Sequence, residues 1–321
     1  MGKILGIVMK IFTGILLGFA VCVAQTGSVY AAQSRSSASS SSPGIIVQAV
    51  QMPAWIEASG IRRPVSPGDA VGASDLVVSG DKARVLARMP DGSFIKLGEN
   101  AQLQVKKLNV VVENLTPKMS SDMKLLRGMF RFATQAVDKV VARRELNLEL
   151  ATATIGIRGT DFWSMTDAVH DAVCLFEGKV DVATNEQGVI ALDKPSAFYV
   201  RNFDKPLQAA GVATQDELAR FIASTDLQPG QGVAVLQGRW RAVLANASSA
   251  GVAARLVGQL ADLGYAATSR SKPVAGRTVY EVRISNFATP ADAQSVLDKL
   301  SAMPALGLSA GRVALSAASG K

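Results

Sequence analysis

The residues that most often carry catalysis are scarce here: 321 residues include one histidine and two cysteines, and aromatic side chains make up 6% of the total. His170 and Cys174 are four positions apart. On a continuous strand they would share a face but stand about 13 Å apart, so a thiol–imidazole pair is not expected unless the chain turns between them. Val173 and Leu175 flank the thiol, and in such a run a free cysteine behaves as a small buried hydrophobe. No cysteine–histidine cluster is present for zinc, and Asp161, Asp167 and Asp171 are not spaced as a calcium loop. Nothing selects a pair of carboxylates for glycoside hydrolysis. The expectation is a protein that is not an enzyme, with no metal and no cofactor.

Lys3 and Lys10 precede an apolar run from Ile11 to Ala24, followed by Val29-Tyr30-Ala31. This is the pattern of a secretory signal peptide cleaved after Ala31, which predicts a periplasmic protein with no membrane span after cleavage. A retained inner-membrane anchor is the alternative, although the run is shorter than the roughly 20 residues a spanning helix needs. Val21 stands where a lipoprotein signal wants a small residue before Cys22, so lipidation is not expected. Cleavage would leave Cys174 without a disulfide partner, and stability would rest on packing. Without Lys3 and Lys10 the 34 basic residues become 32 against 26 acidic ones, a net charge of +6. Such a chain is attracted to anionic lipids and glycans, and the predicted location argues against nucleic acid. The pairs Lys106-Lys107 and Arg143-Arg144 read as solvated surface.

Residues 32–43 form a serine-rich tether with nothing to bury. From 44 to 203 the chain reads as short strands: Ile45–Val50, Val77–Val78, Arg84–Met89, Phe94–Leu97, Gln102–Lys106, Glu145–Ile157, Ala172–Phe176 and Lys179–Thr184. Alternation of Leu103 and Val105, or of Leu146, Leu148 and Leu150, with polar neighbours is that of half-buried strands. Pro90-Asp91-Gly92 is a turn, and Trp55 reads as a core or rim anchor. Thr152, Thr154, Ile155 and Ile157 favour a strand, while Gly156 and Gly159 admit a bulge or a turn.

Four segments in order resemble FecR-like proteins: Met89-Pro-Asp-Gly-Ser-Phe-Ile-Lys-Leu-Gly98, Leu125-Leu-Arg-Gly-Met-Phe-Arg131, Ala151-Thr-Ala-Thr-Ile-Gly-Ile-Arg-Gly-Thr-Asp-Phe162 and Val173-Cys-Leu-Phe-Glu-Gly-Lys-Val-Asp-Val182. The resemblance implies an all-β domain, a sandwich or a solenoid-like stack, with Asp91, Gly92, Arg158, Gly159 and Thr160 as its signature. It implies a ligand- or protein-interaction module with an envelope protein partner; envelope signalling is the alternative. Regulators of this type use a cytoplasmic domain ahead of the membrane helix, and about ten residues before the apolar run leave no room for one.

Residues 204–232 read as a helix and linker. Thr214-Gln-Asp-Glu217 is a capping box for a helix from Gln215 to about Ala223, and Leu227-Gln-Pro-Gly-Gln-Gly232 breaks it off. Residues 233–321 then alternate as βαββαβ, an α+β ferredoxin-like order with two helices on one face of a four-stranded sheet. This segment, from about Arg239 to Val313, resembles the SPOR domain, which implies binding to peptidoglycan glycan strands lacking stem peptides. Departures from the family pattern are Val243 in place of a common glutamine, Ala245-Asn246-Ala247 in place of a Gly-Ser-Phe type sequence, and Ser285-Asn286 in place of a glycine-containing turn. Strand parity separately puts Arg241, Val243, Glu281 and Arg283 on the face away from the helices, with Asn246 and Asn286 at the strand ends. Arg241, Val243, Asn246, Arg283 and Asn286 are the candidate glycan-binding residues; an ordinary solvated sheet face is the other reading.

Overall fold

The computed structural model describes residues 44–113, 116–134, 144–157, 159–206, 208–308 and 311–316. The expected signal peptide and tether, and Arg158, lie outside the described residues. Among the described residues no helix is long and apolar enough to cross a membrane.

Period-two alternation governs the first half of the chain. It begins with β1 (Ile45–Gln51), β2 (Ala54–Ala58), β3 (Ile61–Pro64), β4 (Ala70–Val71), β5 (Leu76–Ser79), β6 (Arg84–Arg88) and β7 (Phe94–Leu97). Two long strands follow, β8 (Gln102–Glu113) and β9 (Thr116–Ala133). Then come β10 (Arg144–Glu149), β11 (Ala153–Ile157), β12 (Asp161–Thr166), β13 (His170–Glu177), β14 (Val180–Thr184), β15 (Gly188–Leu192), β16 (Ala197–Asn202) and β17 (Gly211–Val212). Beyond helix α1 (Gln215–Thr225) lie β18 (Val233–Val235), β19 (Trp240–Ala247), α2 (Ala250–Asp262), β20 (Ala267–Val274), β21 (Arg277–Phe287), α3 (Pro290–Ser301) and β22 (Arg312–Leu315).

Residues 145–157, expected as one strand, are two. Thr152 donates from its backbone N–H and its hydroxyl to the buried Asp171 carboxylate, both at 2.6 Å, and this clamp turns β10 back into β11. Leu146 and Leu148 therefore pair with Ile157 and Ile155, and all four are buried.

The amino-terminal strands form a sandwich. One sheet runs β3, β2, β5, β8, β9, β10, β11, β14, β15. The other runs from β1 through β6, β7, β9, β12, β13 and β16 to β17. β9 belongs to both, and Gly128 lies where it passes from one to the other: φ is +91°, and a Cβ there would lie 2.5 Å from Ala101 Cα. Pairing is antiparallel except between β9 and β10. Ile45, Val47, Ile56, Leu103, Met123, Phe130, Phe132 and Phe162 fill the core between the sheets. Its largest side chains each bury apolar area worth about 1.5–3 kcal/mol.

Helix α1 has the expected capping box between Thr214 and Glu217 and continues to Thr225. It docks on the sandwich by aromatic stacking: Phe221 lies 4.1 Å from Trp163 and 5.6 Å from Phe198, centroid to centroid. Trp163 Nε1 donates to Ser224 Oγ at 3.0 Å, and Lys96 pairs with Asp226 at 2.6 Å.

In the carboxyl-terminal part the sheet order is β20, β21, β19, β22, antiparallel throughout. Ser249 caps α2 and Thr289 caps α3, with Pro290 in the first turn. Their apolar stripes, Ala253, Leu256 and Leu260 on one and Ala293, Val296, Leu297 and Leu300 on the other, are buried against one face of the sheet. Among the described residues no helix covers the opposite face.

A strand too short for sequence reading joins the two parts. β18 pairs with β1 (Ala49↔Val235, Val50↔Ala234, Gln51↔Val233) and touches β21 at Ala234↔Phe287. Around it, Trp55 Nε1 donates to Ala261 O at 3.2 Å, and Ala54 N–H to Gly264 O at 3.2 Å. Buried Asp292 accepts the backbone N–H groups of Gly230, Gly232 and Val233 at 2.7, 3.2 and 2.9 Å.

Candidate functional site

The face of the carboxyl-terminal sheet left open by the helices is shaped by two compensating bulges. Between Trp240↔Phe287 and Ala242↔Ile284 one extra residue lies on β21, and between Val243↔Arg283 and Ala245↔Val282 one extra lies on β19. A one-residue insertion exchanges the faces. The first bulge returns Phe287 to the core, and the second turns Asn246, opposite Glu281, to the side carrying Arg241, Val243 and Arg283. Asn286 sits in the first bulge with φ +70°, a left-handed conformation that asparagine tolerates better than most residues.

β20 and β22 complete the face. Arg270 lies opposite Glu281, Thr268 opposite Arg283, and Arg312 opposite Val243. Cross-strand partners project to the same side. Arg241, Arg270, Lys272, Arg283 and Arg312 thereby surround one carboxylate, Glu281, in a cleft of about 350 Å³.

The Glu281 side chain is 4% exposed. Lys272 Nζ donates to its Oε2 at 2.6 Å and Arg312 at 3.3 Å, while Arg283 Nη1 reaches Oε1 at 3.5 Å. Arg241 Nε stands 3.9 Å from Oε1, too far for a hydrogen bond. Burial alone would raise the Glu281 carboxyl, but the hydrogen bond and charge of Lys272, with Arg241 and Arg283, outweigh it and hold the group below the usual carboxylate range. Five cations face one carboxylate, and the buried Nε atoms of Arg241 and Arg283 have no hydrogen-bond partner. The cleft is a donor-rich, positively charged hollow.

Of the candidates from sequence, Arg241, Arg283 and Asn246 meet on this face. Val243 also projects there, but at 2% exposure it is closed to a ligand, because Arg283 and Arg312 flank it in register. Asn286 lies at the bulge opposite Arg241, outside the cleft lining. Arg270, Lys272, Glu281 and Arg312 were not named as site residues from sequence. The signal for the first two was available in the even-numbered run Thr268, Arg270, Lys272, which alternates along β20.

The described amino-terminal signature residues, Asp91, Gly92, Gly159 and Thr160, serve turns. Asp91 Oδ1 accepts from Ser93 N–H at 3.1 Å and its hydroxyl at 2.5 Å, and Gly92 at φ +87° closes the β6–β7 hairpin. Gly159 and Thr160 carry the chain from β11 in one sheet to β12 in the other. A second hollow of about 170 Å³, beside the β10–β11 turn, is lined by Thr152, Asn185, Glu186, Tyr199 and Arg201, with Arg201 already paired to Glu186 at 2.9 Å. Cys174 is fully buried, and burial, with the charge of Glu217, pushes its thiol up to about 12. His170 Nδ1 lies 3.1 Å from Asp167 on the same strand as Cys174. Among the described residues no group of three or more His, Cys, Asp or Glu could hold a metal ion.

Residues 75–181 match the FecR protein family model, and residues 236–310 match the SPOR domain model. The chain pairs a FecR-like domain with a SPOR domain. No curated protein matches it. Two crystal structures of a "putative anti-sigma factor" from Parabacteroides distasonis, at 2.50 and 1.65 Å, align at 12% and 13% identity. Their TM-scores are 0.37 and 0.35, and each alignment covers 64% of this chain and 97% of that one. At those scores nothing further rests on them. The SPOR match spans β19 through α3, so the cationic cleft lies within it except for Arg312, just beyond its end. FecR and SPOR are binding and regulatory families of the cell envelope, and SPOR domains bind peptidoglycan.

Proposed function

We propose that this is a non-enzymatic periplasmic protein that binds peptidoglycan glycan strands, denuded of stem peptides, through the open sheet face of its SPOR domain. The FecR-like domain serves as a ligand- or protein-interaction module. The observation that carries the reading is the cleft around Glu281: an open sheet face with charged donors in excess of acceptors, in the domain whose family binds this polymer. Arginine and lysine there can donate to sugar hydroxyls and carboxylates.

The test is co-sedimentation of the whole secreted chain with purified sacculi, untreated or stripped of stem peptides by amidase, at low and high salt. Stronger pelleting on stripped walls, kept at high salt, is the expected result. Equal or absent pelleting on both would sink it. A second reading, envelope signalling, draws support from β18, because a strand paired to both domains would tie the wall-facing cleft to the FecR-like sandwich.

A further inference from the structure

We propose that the cleft around Glu281 is a carboxylate site, and that the group it takes is the free lactyl carboxylate left on a muramic acid residue once its stem peptide is gone. The inference rests on the glycan-binding reading above and adds the chemistry by which denuded strands are distinguished. Four cations reach Glu281, from four different directions of the sheet: Lys272 from β20, Arg283 from β21, Arg241 from β19 and Arg312 from β22. A single carboxylate cannot satisfy them. Glu281 fixes their spacing from below, while Arg270 adds a fifth charge at the rim.

The unused capacity is specific in kind. Guanidinium forks match planar carboxylates, and Arg283 and Arg312, with side chains 20% and 55% exposed, each reach Glu281 through a single terminal nitrogen. On a glycan strand that still bears its peptides, the lactyl group ends in a neutral amide with a chain attached. Amide cleavage replaces it with an anion carried directly on the sugar. A volume of about 350 Å³ on the open sheet face is large enough for one such substituted sugar. Discrimination then comes from charge.

The deciding experiment compares amidase-stripped glycan with the same material after its carboxyls have been activated with carbodiimide and reduced to alcohols. Binding of the whole chain to soluble fragments of both is measured by calorimetry. The expected result is affinity for the reduced glycan at least about tenfold weaker, the loss of one or two charge-assisted hydrogen bonds. Arg270→Gln with Arg312→Gln, both exposed positions, should weaken binding to stripped glycan and leave the reduced form unaffected. Arg255→Gln, an equal charge change on exposed α2 across the sheet, should bind as the parent does. Equal affinity for stripped and reduced glycan would overturn the carboxylate site and leave glycan binding standing. Affinity for neither would overturn both.

Discussion

Glu281 holds four cations at separations they would not keep without it. Breaking a buried ion pair costs about 3–5 kcal/mol, but side-chain exposures from 19% to 55% among these partners mean that solvent screens part of that. Glu281→Gln is expected to lower stability by about 1–3 kcal/mol, read from thermal or denaturant unfolding. The pH dependence has a definite sign. Because the folded carboxyl is held below its ordinary value of 4.5, its contribution is complete above that pH and is lost as pH falls through the lower folded value. The parent should lose more stability than Glu281→Gln between about pH 5 and pH 3; parallel curves would show that the carboxylate is not coupled to folding. At this scale parity made Arg241 and Arg283 legible from sequence. Arg312 was hidden because it follows a glycine in a strand of four residues, and Val243 misled because parity says which way a side chain points, not what covers it.

Helix α1 illustrates how an element can be legible while its purpose is not. Its capping box and apolar spacing fixed its start, but Trp163 and Phe198, which it covers, are distant in sequence. Phe221→Ala should cost about 2–4 kcal/mol and open the patch over Cys174. The measurement is alkylation of Cys174 at pH 8: undetectable in the parent and faster in the variant, with Thr214→Ala intermediate through loss of about 1 kcal/mol of capping. Equal protection in all three would mean that α1 does not shield the thiol. β9 escaped sequence reading because Pro117, Ser120, Ser121 and Asp122 dilute its first half, although Ser121 is buried and donates to Lys107 O at 2.9 Å. The β10–β11 turn escaped because its clamp, Asp171, lies on β13.

Across the whole molecule, the described residues of the two family-sized segments belong to one compact unit. The sequence could not show this, since the joint consists of three strand residues, one tryptophan and one buried aspartate drawn from separate places. Calorimetric unfolding should give a single transition. Trp55→Ala combined with Asp292→Ala should split it in two, because the indole loses Ala261 and three linker N–H groups lose their acceptor. A single transition in that variant would leave the β1–β18 ladder as sufficient coupling.

The placement of Val233–Val235 also bears on how such a protein can be taken apart and recombined. Cutting the chain just ahead of β18 would strip β1 of one neighbour, and cutting just behind it would leave Phe287 with Trp240 alone. The amino-terminal fragment would carry an uncapped, apolar strand edge of the kind that recruits foreign strands. A graft of the SPOR domain together with β18 onto another carrier would therefore have to bring a surrogate for β1, and shuffling between relatives would succeed where that strand travels with it.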